Sequence, residues 1–129
     1  MKTLVTLAAA IEIPTGLVLT FDPGRFMWLL FGVDMPGAGE ALGPLAGFAL
    51  FALVTACWPS RTAVTPAASS VWALLSFSLL CVAYLAYIGI SGVRTGVLLW
   101  PAAIGHGMVA LVLIWRWLAT RRIKSNVSV

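Results

Sequence analysis

Apolar residues are gathered into four long runs that short polar stretches separate. The runs lie near residues 3–20, 39–58, 70–90 and 96–118, and each is close to the ~20 residues that a helix needs to cross about 30 Å of hydrocarbon. Backbone polar groups in lipid must bond within their own segment, and the runs show no alternation of period two. The pattern therefore predicts four membrane-spanning helices and no strands.

A shorter apolar stretch, FMWLLF at residues 26–31, follows the first run. Asp22 is a typical N-cap and Pro23 suits the first helical position, so we predict a helix over about residues 23–32. This segment is too apolar to lie in water and too short to cross a membrane, which favours the membrane interface. The sequence thus predicts an all-α fold, a polytopic membrane four-helix bundle with a short interfacial helix between helices one and two.

Composition and charge support the membrane assignment. Of the 129 residues, 61% are apolar and 9% are charged, whereas soluble domains carry about 25% charged residues. Basic residues concentrate near both termini and at Arg61, so the positive-inside rule predicts that both termini are cytoplasmic. We expect one domain over residues 1–120 and a polar cytoplasmic tail over residues 121–129. The net charge of +4 indicates attraction to the lipid bilayer, and no nucleic-acid partner is expected.

Helix two opens with a stripe of glycines. Gly39, Gly43 and Gly47 recur at every fourth residue and therefore share one face. Small residues at this spacing let two membrane helices approach closely. The stripe predicts packing against another helix of the same chain or against a second copy, and we expect a homo-oligomer or a larger membrane complex.

Two ionisable residues, Glu12 and His106, lie deep inside the predicted spans. Glu12 is about 13 Å into helix one, and His106 reaches a similar depth in helix four from the opposite side. A carboxylate at this depth costs at least ~2.5 to 3.5 kcal/mol, so it is normally neutralised, paired or functional. We hypothesise that Glu12 meets His106 or Tyr84 inside the bundle. Ser76 and Thr15 are further candidates for the same ligand or proton site.

Three roles are compatible with these polar residues. The first is an accessory or quinone-associated subunit that holds a quinone or a lipid in a midplane cavity, around which Pro14 and Pro101 are expected to bend their helices. The second is a proton-coupled small-molecule transporter acting as a dimer. The third is a structural anchor, in which Glu12 and His106 only fix the helix packing. No catalytic motif and no set of zinc ligands occurs in the sequence, so neither an enzyme acting on its own nor a metal site is expected.

The order of parts resembles the DoxX-like group of small four-helix bacterial membrane proteins. The resemblance rests on FDPGRF at residues 21–26, DMPGAGEALGPLAG at 34–47 and CWPSR at 57–61. It extends over nearly the whole chain and implies a membrane subunit, in some members one of a quinone-linked redox assembly. Glu12 and Pro14 depart from the group, which commonly has glycine and apolar residues there, so no functional residue is carried over. Small multidrug exporters are similar in helix count and in a helix-one Glu.

Overall fold

In a computed structural model, which describes residues 2–34, 36–58 and 66–127, the chain folds into five helices. These helices are α1 (Lys2–Phe21), α2 (Pro23–Phe31), α3 (Ala38–Cys57), α4 (Ala68–Ser91) and α5 (Leu99–Val127). All of them except α2 are long and apolar enough to cross a membrane. Over the described residues, the predicted all-α membrane four-helix bundle with a short helix after helix one is confirmed.

The long helices pair as two hairpins. Helix α1 packs along α3 and helix α4 packs along α5, whereas contacts between the two pairs are less extensive. We call the end of the bundle that carries α2 and residues 92–98 the α2 side. The opposite end, which carries Lys2 and Trp58, is the terminus side. Which of these sides faces the cytoplasm stays a prediction, and Arg61, on which that prediction partly depends, lies outside the described residues.

The glycine stripe of α3 faces helices of the same chain. A Cβ atom added at Gly47 would lie 2.7 Å from the carbonyl oxygen of Gly16, and one added at Gly43 would overlap the side chain of Pro23. Both glycines are buried, and Gly39 is half-buried. The close approach of α3 to α1 and to the start of α2 therefore requires glycine at residues 43 and 47.

The terminus-side half of the bundle is closely packed. All four long helices contribute to one buried cluster, which consists of Val5, Ala8, Ala9, Val54, Cys57, Val71, Leu74, Leu75, Ala110 and Leu113. At the end of this cluster, Ser70 Oγ donates a hydrogen bond of 3.1 Å to the carbonyl oxygen of Ala56. The Cys57 thiol donates to the carbonyl oxygen of Ser70 at 3.6 Å. These bonds join the two hairpins on the terminus side.

Helix α2 begins and ends as its sequence predicts. Asp22 Oδ1 accepts a hydrogen bond of 3.1 Å from the Arg25 amide, which confirms the predicted N-cap. Pro23 fills the first helical position, where its missing N–H has no intrahelical partner to lose. Gly32 ends the helix with a φ of 70°, a left-handed conformation that favours glycine.

The two prolines have different effects from those expected. Helix α1 continues through Pro14 to Phe21. The expectation that Pro101 bends helix four is wrong, because α5 begins at Leu99 and Pro101 therefore lies in the first turn, which needs no intrahelical N–H bond. Helix α5 also extends over residues 121–127 of the predicted polar tail, and the remainder of that tail lies outside the described residues.

Candidate ligand-binding cavity

A cavity of about 730 Å³ separates the two hairpins between the middle of the bundle and α2. Its apolar wall is formed by Leu19, Phe26, Met27, Leu30, Phe31, Ala46, Ala49, Leu50, Leu53, Phe77, Leu85, Leu98 and Ala102. Its polar lining residues are Glu12, Thr15, Cys81, Tyr84 and His106. This volume falls within the ~300 to 1,000 Å³ of typical small-molecule sites, which are also mostly apolar with a few polar groups.

Glu12 lines the cavity from α1, near the middle of the bundle. It is about 15 Å from the start of α1 at 1.5 Å per residue, and therefore near the middle of that 20-residue helix. The residue is only 7% exposed, yet no group among the described residues donates a hydrogen bond to its carboxylate. Because none of the fully buried polar side-chain atoms in that part of the chain is unpaired, the Glu12 oxygens must open onto the cavity.

The structure brings His106 to Glu12, as hypothesised from their depth. The distance from His106 Nδ1 to Glu12 Oε1 is 3.9 Å, which is too long for a hydrogen bond. The edge of the Phe77 ring meets the imidazole at a centroid distance of 5.5 Å and an interplanar angle of 82°. Phe77 thus fixes one side of the imidazole and leaves its polar atoms for the cavity.

Helix α2 covers the opposite end of the cavity. Phe26, Met27, Leu30 and Phe31 line the cavity from this helix. The sequence pattern predicted α2 as an interfacial segment, and the structure shows that its apolar residues also cover a space inside the bundle. Helix α2 therefore acts as the roof of the cavity.

Backbone hydrogen bonds hold this roof against the second hairpin. The amides of Gly96 and Leu98 donate to the carbonyl oxygens of Leu30 and Leu29 at 3.2 and 2.9 Å. These carbonyls belong to the last turn of α2, where no intrahelical donor is available. A Cβ atom at Gly96 would overlap the Leu29 carbonyl oxygen, so only glycine permits this contact.

The cavity opens sideways between α3 and α4. Most lining residues are buried or half-buried, and the exposed ones are Ala46 and Ala49 on α3, Tyr84 on α4, and Leu98 before α5. The Tyr84 ring also meets the Phe31 ring of the roof edge to face, with centroids 6.4 Å apart and planes at 81°. Three of these four exposed lining residues belong to α3 and α4, which indicates a side opening between these two helices.

Four of the five predicted site residues line one cavity, and Ser76 does not. Glu12, Thr15, Tyr84 and His106 are lining residues, whereas Ser76 is exposed on α4. At about 100° per residue, Ser76 is rotated by about 100° from Phe77, which lies on the cavity face. Ser76 therefore lies on a different face of α4 from the residues that line the cavity, and Tyr84 stands at the edge of the cavity-lining face.

The sequence analysis missed Cys81 and Phe77. Both project from α4 into the cavity together with Leu85, and the spacing of residues 77, 81 and 85 is the i, i+4, i+8 pattern of one helix face. This signal is present in the sequence. It competes with the polar residue Ser76, which lies on a different face of the same helix.

Metal ligation has no support in the described part of the chain, where no group of three His, Cys, Asp or Glu side chains comes together. The chemistry that the cavity offers is hydrogen bonding by a carboxylate, an imidazole and two hydroxyls within an apolar enclosure. No protein-family model matches the chain, and neither a curated protein nor a solved structure is similar to it. The cavity itself therefore carries the functional inference for this multi-pass membrane protein.

Proposed function

We propose that this protein is a small membrane subunit that binds a quinone-type molecule, a flat ring with polar oxygens, between Glu12 and His106. The observation that carries the proposal is the Glu12 carboxylate, which is 7% exposed and accepts no hydrogen bond from the described residues. A carboxylate in the middle of a membrane is normally paired or functional. A ligand that donates to Glu12 supplies the partner that the fold does not.

The chemistry of the two polar groups suits both states of such a ring. A quinone carbonyl oxygen accepts a hydrogen bond from an imidazole N–H or from a protonated carboxyl, and a quinol hydroxyl donates to a carboxylate. Glu12 and His106 are 3.9 Å apart at their closest, so a single oxygen substituent can contact both. Phe77 and the aromatic residues of α2 supply the apolar surface that a flat ring needs.

In this proposal the protein is an accessory subunit of a larger membrane assembly or homo-oligomer in a bacterial inner membrane, with both termini cytoplasmic. The resemblance to the DoxX-like group implies the same setting and stays a prediction.

Binding is better supported than transport. A transported molecule must leave the cavity on the terminus side, where the buried cluster of ten residues fills the space between the four long helices. The cavity ends where that cluster begins, because Leu53, one of its lining residues, also packs against the cluster. Such a blind cavity is typical of a binding site.

The proposal is tested by binding of a radiolabelled decyl-chain benzoquinol, the reduced form whose hydroxyls donate hydrogen bonds, to the protein in lipid nanodiscs. We expect saturable binding to the wild type and a loss of at least about tenfold in affinity for Glu12→Gln, because a hydrogen bond to a charged group contributes about 1.5 to 3 kcal/mol. Glu40→Gln is the matched control, since Glu40 is exposed in the first turn of α3 and lines no part of the cavity. Binding no stronger than to empty nanodiscs, or equal binding by Glu12→Gln, would contradict the proposal.

A further inference from the structure

The side opening between α3 and α4 is bordered by Ala46, Ala49 and Tyr84. We propose that the ligand carries a hydrocarbon chain, that it enters from the bilayer through this opening, and that its chain lies between Ala46, Ala49 and Tyr84 when its ring is bound. This inference rests on the proposed function and adds the class of ligand and its route.

The position of the opening excludes entry from water. Tyr84 lies about 10 Å from the α2-side end of α4, and Ala46 and Ala49 lie about 12 and 16 Å from that end of α3, at 1.5 Å per residue. The hydrocarbon core extends about 15 Å to either side of the bilayer centre. The opening therefore faces acyl chains, and a molecule that passes through it must dissolve in them.

The roof closes the alternative route from the interface. Phe26, Leu30 and Phe31 cover the cavity on the α2 side, and the Gly96 amide holds the last turn of α2 through its 3.2 Å hydrogen bond to Leu30. A ligand that enters there has to break this contact. Entry between α3 and α4 breaks no hydrogen bond among the described residues, since the two alanines present only methyl groups.

The ring and the hydrocarbon chain of the ligand interact with different parts of the site. A hydrocarbon chain has nearly the same free energy in lipid as against alanine methyl groups, so leaving it in the opening costs little. The polar ring gains hydrogen bonds with Glu12 and His106 that acyl chains do not offer. The opening thus favours a ligand with a polar head and one long apolar chain.

The experiment compares two ligands on two tryptophan variants. The quinol forms of decyl-chain benzoquinone and of a tetramethyl benzoquinone without a long chain are bound to Ala49→Trp and to the matched control Ala52→Trp, because Ala52 is exposed on α3 and does not line the cavity. We expect Ala49→Trp to weaken binding of the decyl compound at least about tenfold, as steric overpacking does. Binding of the chainless compound should change less than about twofold, and Ala52→Trp should affect neither compound.

Several outcomes separate this inference from the proposed function. Equal binding of the decyl compound by Ala49→Trp and the wild type would overturn the route through the opening while the Glu12 dependence stands. Equal loss of both compounds would also overturn it, because the opening would then not distinguish chain from ring. If the wild type binds neither compound, or if Glu12→Gln binds both normally, the proposed function itself fails.

A measurement on the unmodified chain covers the case in which the variant does not fold. A decyl benzoquinone with a photoreactive diazirine at the chain end is crosslinked to the wild-type protein, and the labelled residues are identified by mass spectrometry. We expect labelling near Ala46, Ala49 and Tyr84. Labelling confined to residues 26–31 of the roof would place the chain under α2 and overturn the inference.

Discussion

The two halves of the bundle use the same four long helices in opposite ways. On the terminus side, small and branched residues from all four helices form one buried cluster. On the α2 side, the same helices separate around a cavity of about 730 Å³, and the short helix α2 covers its end. The larger buried cluster therefore lies in the terminus-side half, and the open site lies in the α2-side half.

Hydrogen bonds at both ends of the bundle hold the two hairpins together. Ser70 and Ala56 join the hairpins on the terminus side, with a bond of 3.1 Å. On the α2 side the Leu98 amide donates to Leu29 at 2.9 Å. Because the hairpins are held at both ends, the space between them remains open without a ligand, and a ligand does not have to separate the helices to bind.

The largest contrast between the halves is expected in thiol reactivity. Cys57 is 1% exposed in the packed half, whereas Cys81 is half-buried and lines the cavity. Labelling Cys57 requires opening of the packed core, so its rate in the folded protein should be at least about 100-fold lower than that of Cys81. A membrane-permeant methanethiosulfonate applied to Cys57→Ser and Cys81→Ser, each with one thiol left, measures both rates. Equal rates would mean that the reagent reaches Cys57 in the packed half as easily as it reaches Cys81 in the cavity.

Truncation of a leucine should lower the free energy of unfolding more in the packed half than beside the cavity. Leu74 is 1% exposed in the packed cluster, and Leu74→Ala should lower the free energy of unfolding by about 2 to 5 kcal/mol, as truncations of fully packed leucines do. Leu50 is also buried but borders the cavity. Leu50→Ala should cost less, because its side chain already has open space on one side. Unfolding in mixed micelles at increasing SDS fractions measures both, and a greater loss for Leu50→Ala would reverse the comparison.

Glycine substitutions test the close approach of α1 and α3. Gly47→Ala should lower the free energy of unfolding by about 1 to 3 kcal/mol, because the new methyl group would meet the carbonyl oxygen of Gly16 at 2.7 Å. Gly105→Ala is the matched control in α5, since a Cβ atom there meets nothing within 4 Å. It should be neutral or stabilising by up to about 1 kcal/mol, given the better helix propensity of alanine. The same SDS titration applies, and equal effects would indicate that the α1 contact is loose.

The smallest change in stability is expected for Glu12→Gln. Glu12 accepts no hydrogen bond from the described residues, so this substitution should change the free energy of unfolding by less than about 1 kcal/mol while it removes ligand binding. A purely structural ion pair with His106 behaves differently, because breaking a buried pair typically costs about 3 to 5 kcal/mol. A loss of that size in the SDS titration would support the anchor role and contradict a ligand site.

Hydrophobic pattern and turn residues were sufficient to predict the elements. The four apolar runs became α1, α3, α4 and α5, and Asp22 with Pro23 correctly predicted the start of α2. The depth of Glu12 and His106 also predicted their proximity, because rise per residue depends little on tertiary contacts. The depth of a residue along a membrane helix can therefore be predicted from the sequence.

Rotation about the helix axis was harder to predict. In a soluble helix the apolar stripe identifies the buried face, but α4 is apolar on its lipid side as well as its core side. Its polar residue Ser76 lies at the surface and does not line the cavity, while Phe77, Cys81 and Tyr84 do. The bond from Gly96 to Leu30 was not predictable either, since it joins backbone groups far apart in the chain.

The most direct test of the central claim is native mass spectrometry of the protein extracted mildly from its own membrane. We expect the wild type and Glu40→Gln to retain a bound molecule with the mass of a membrane quinone, and Glu12→Gln to lose it. A wild-type chain without any such mass, or an equal adduct on Glu12→Gln, would contradict the claim that Glu12 and His106 form a ligand site.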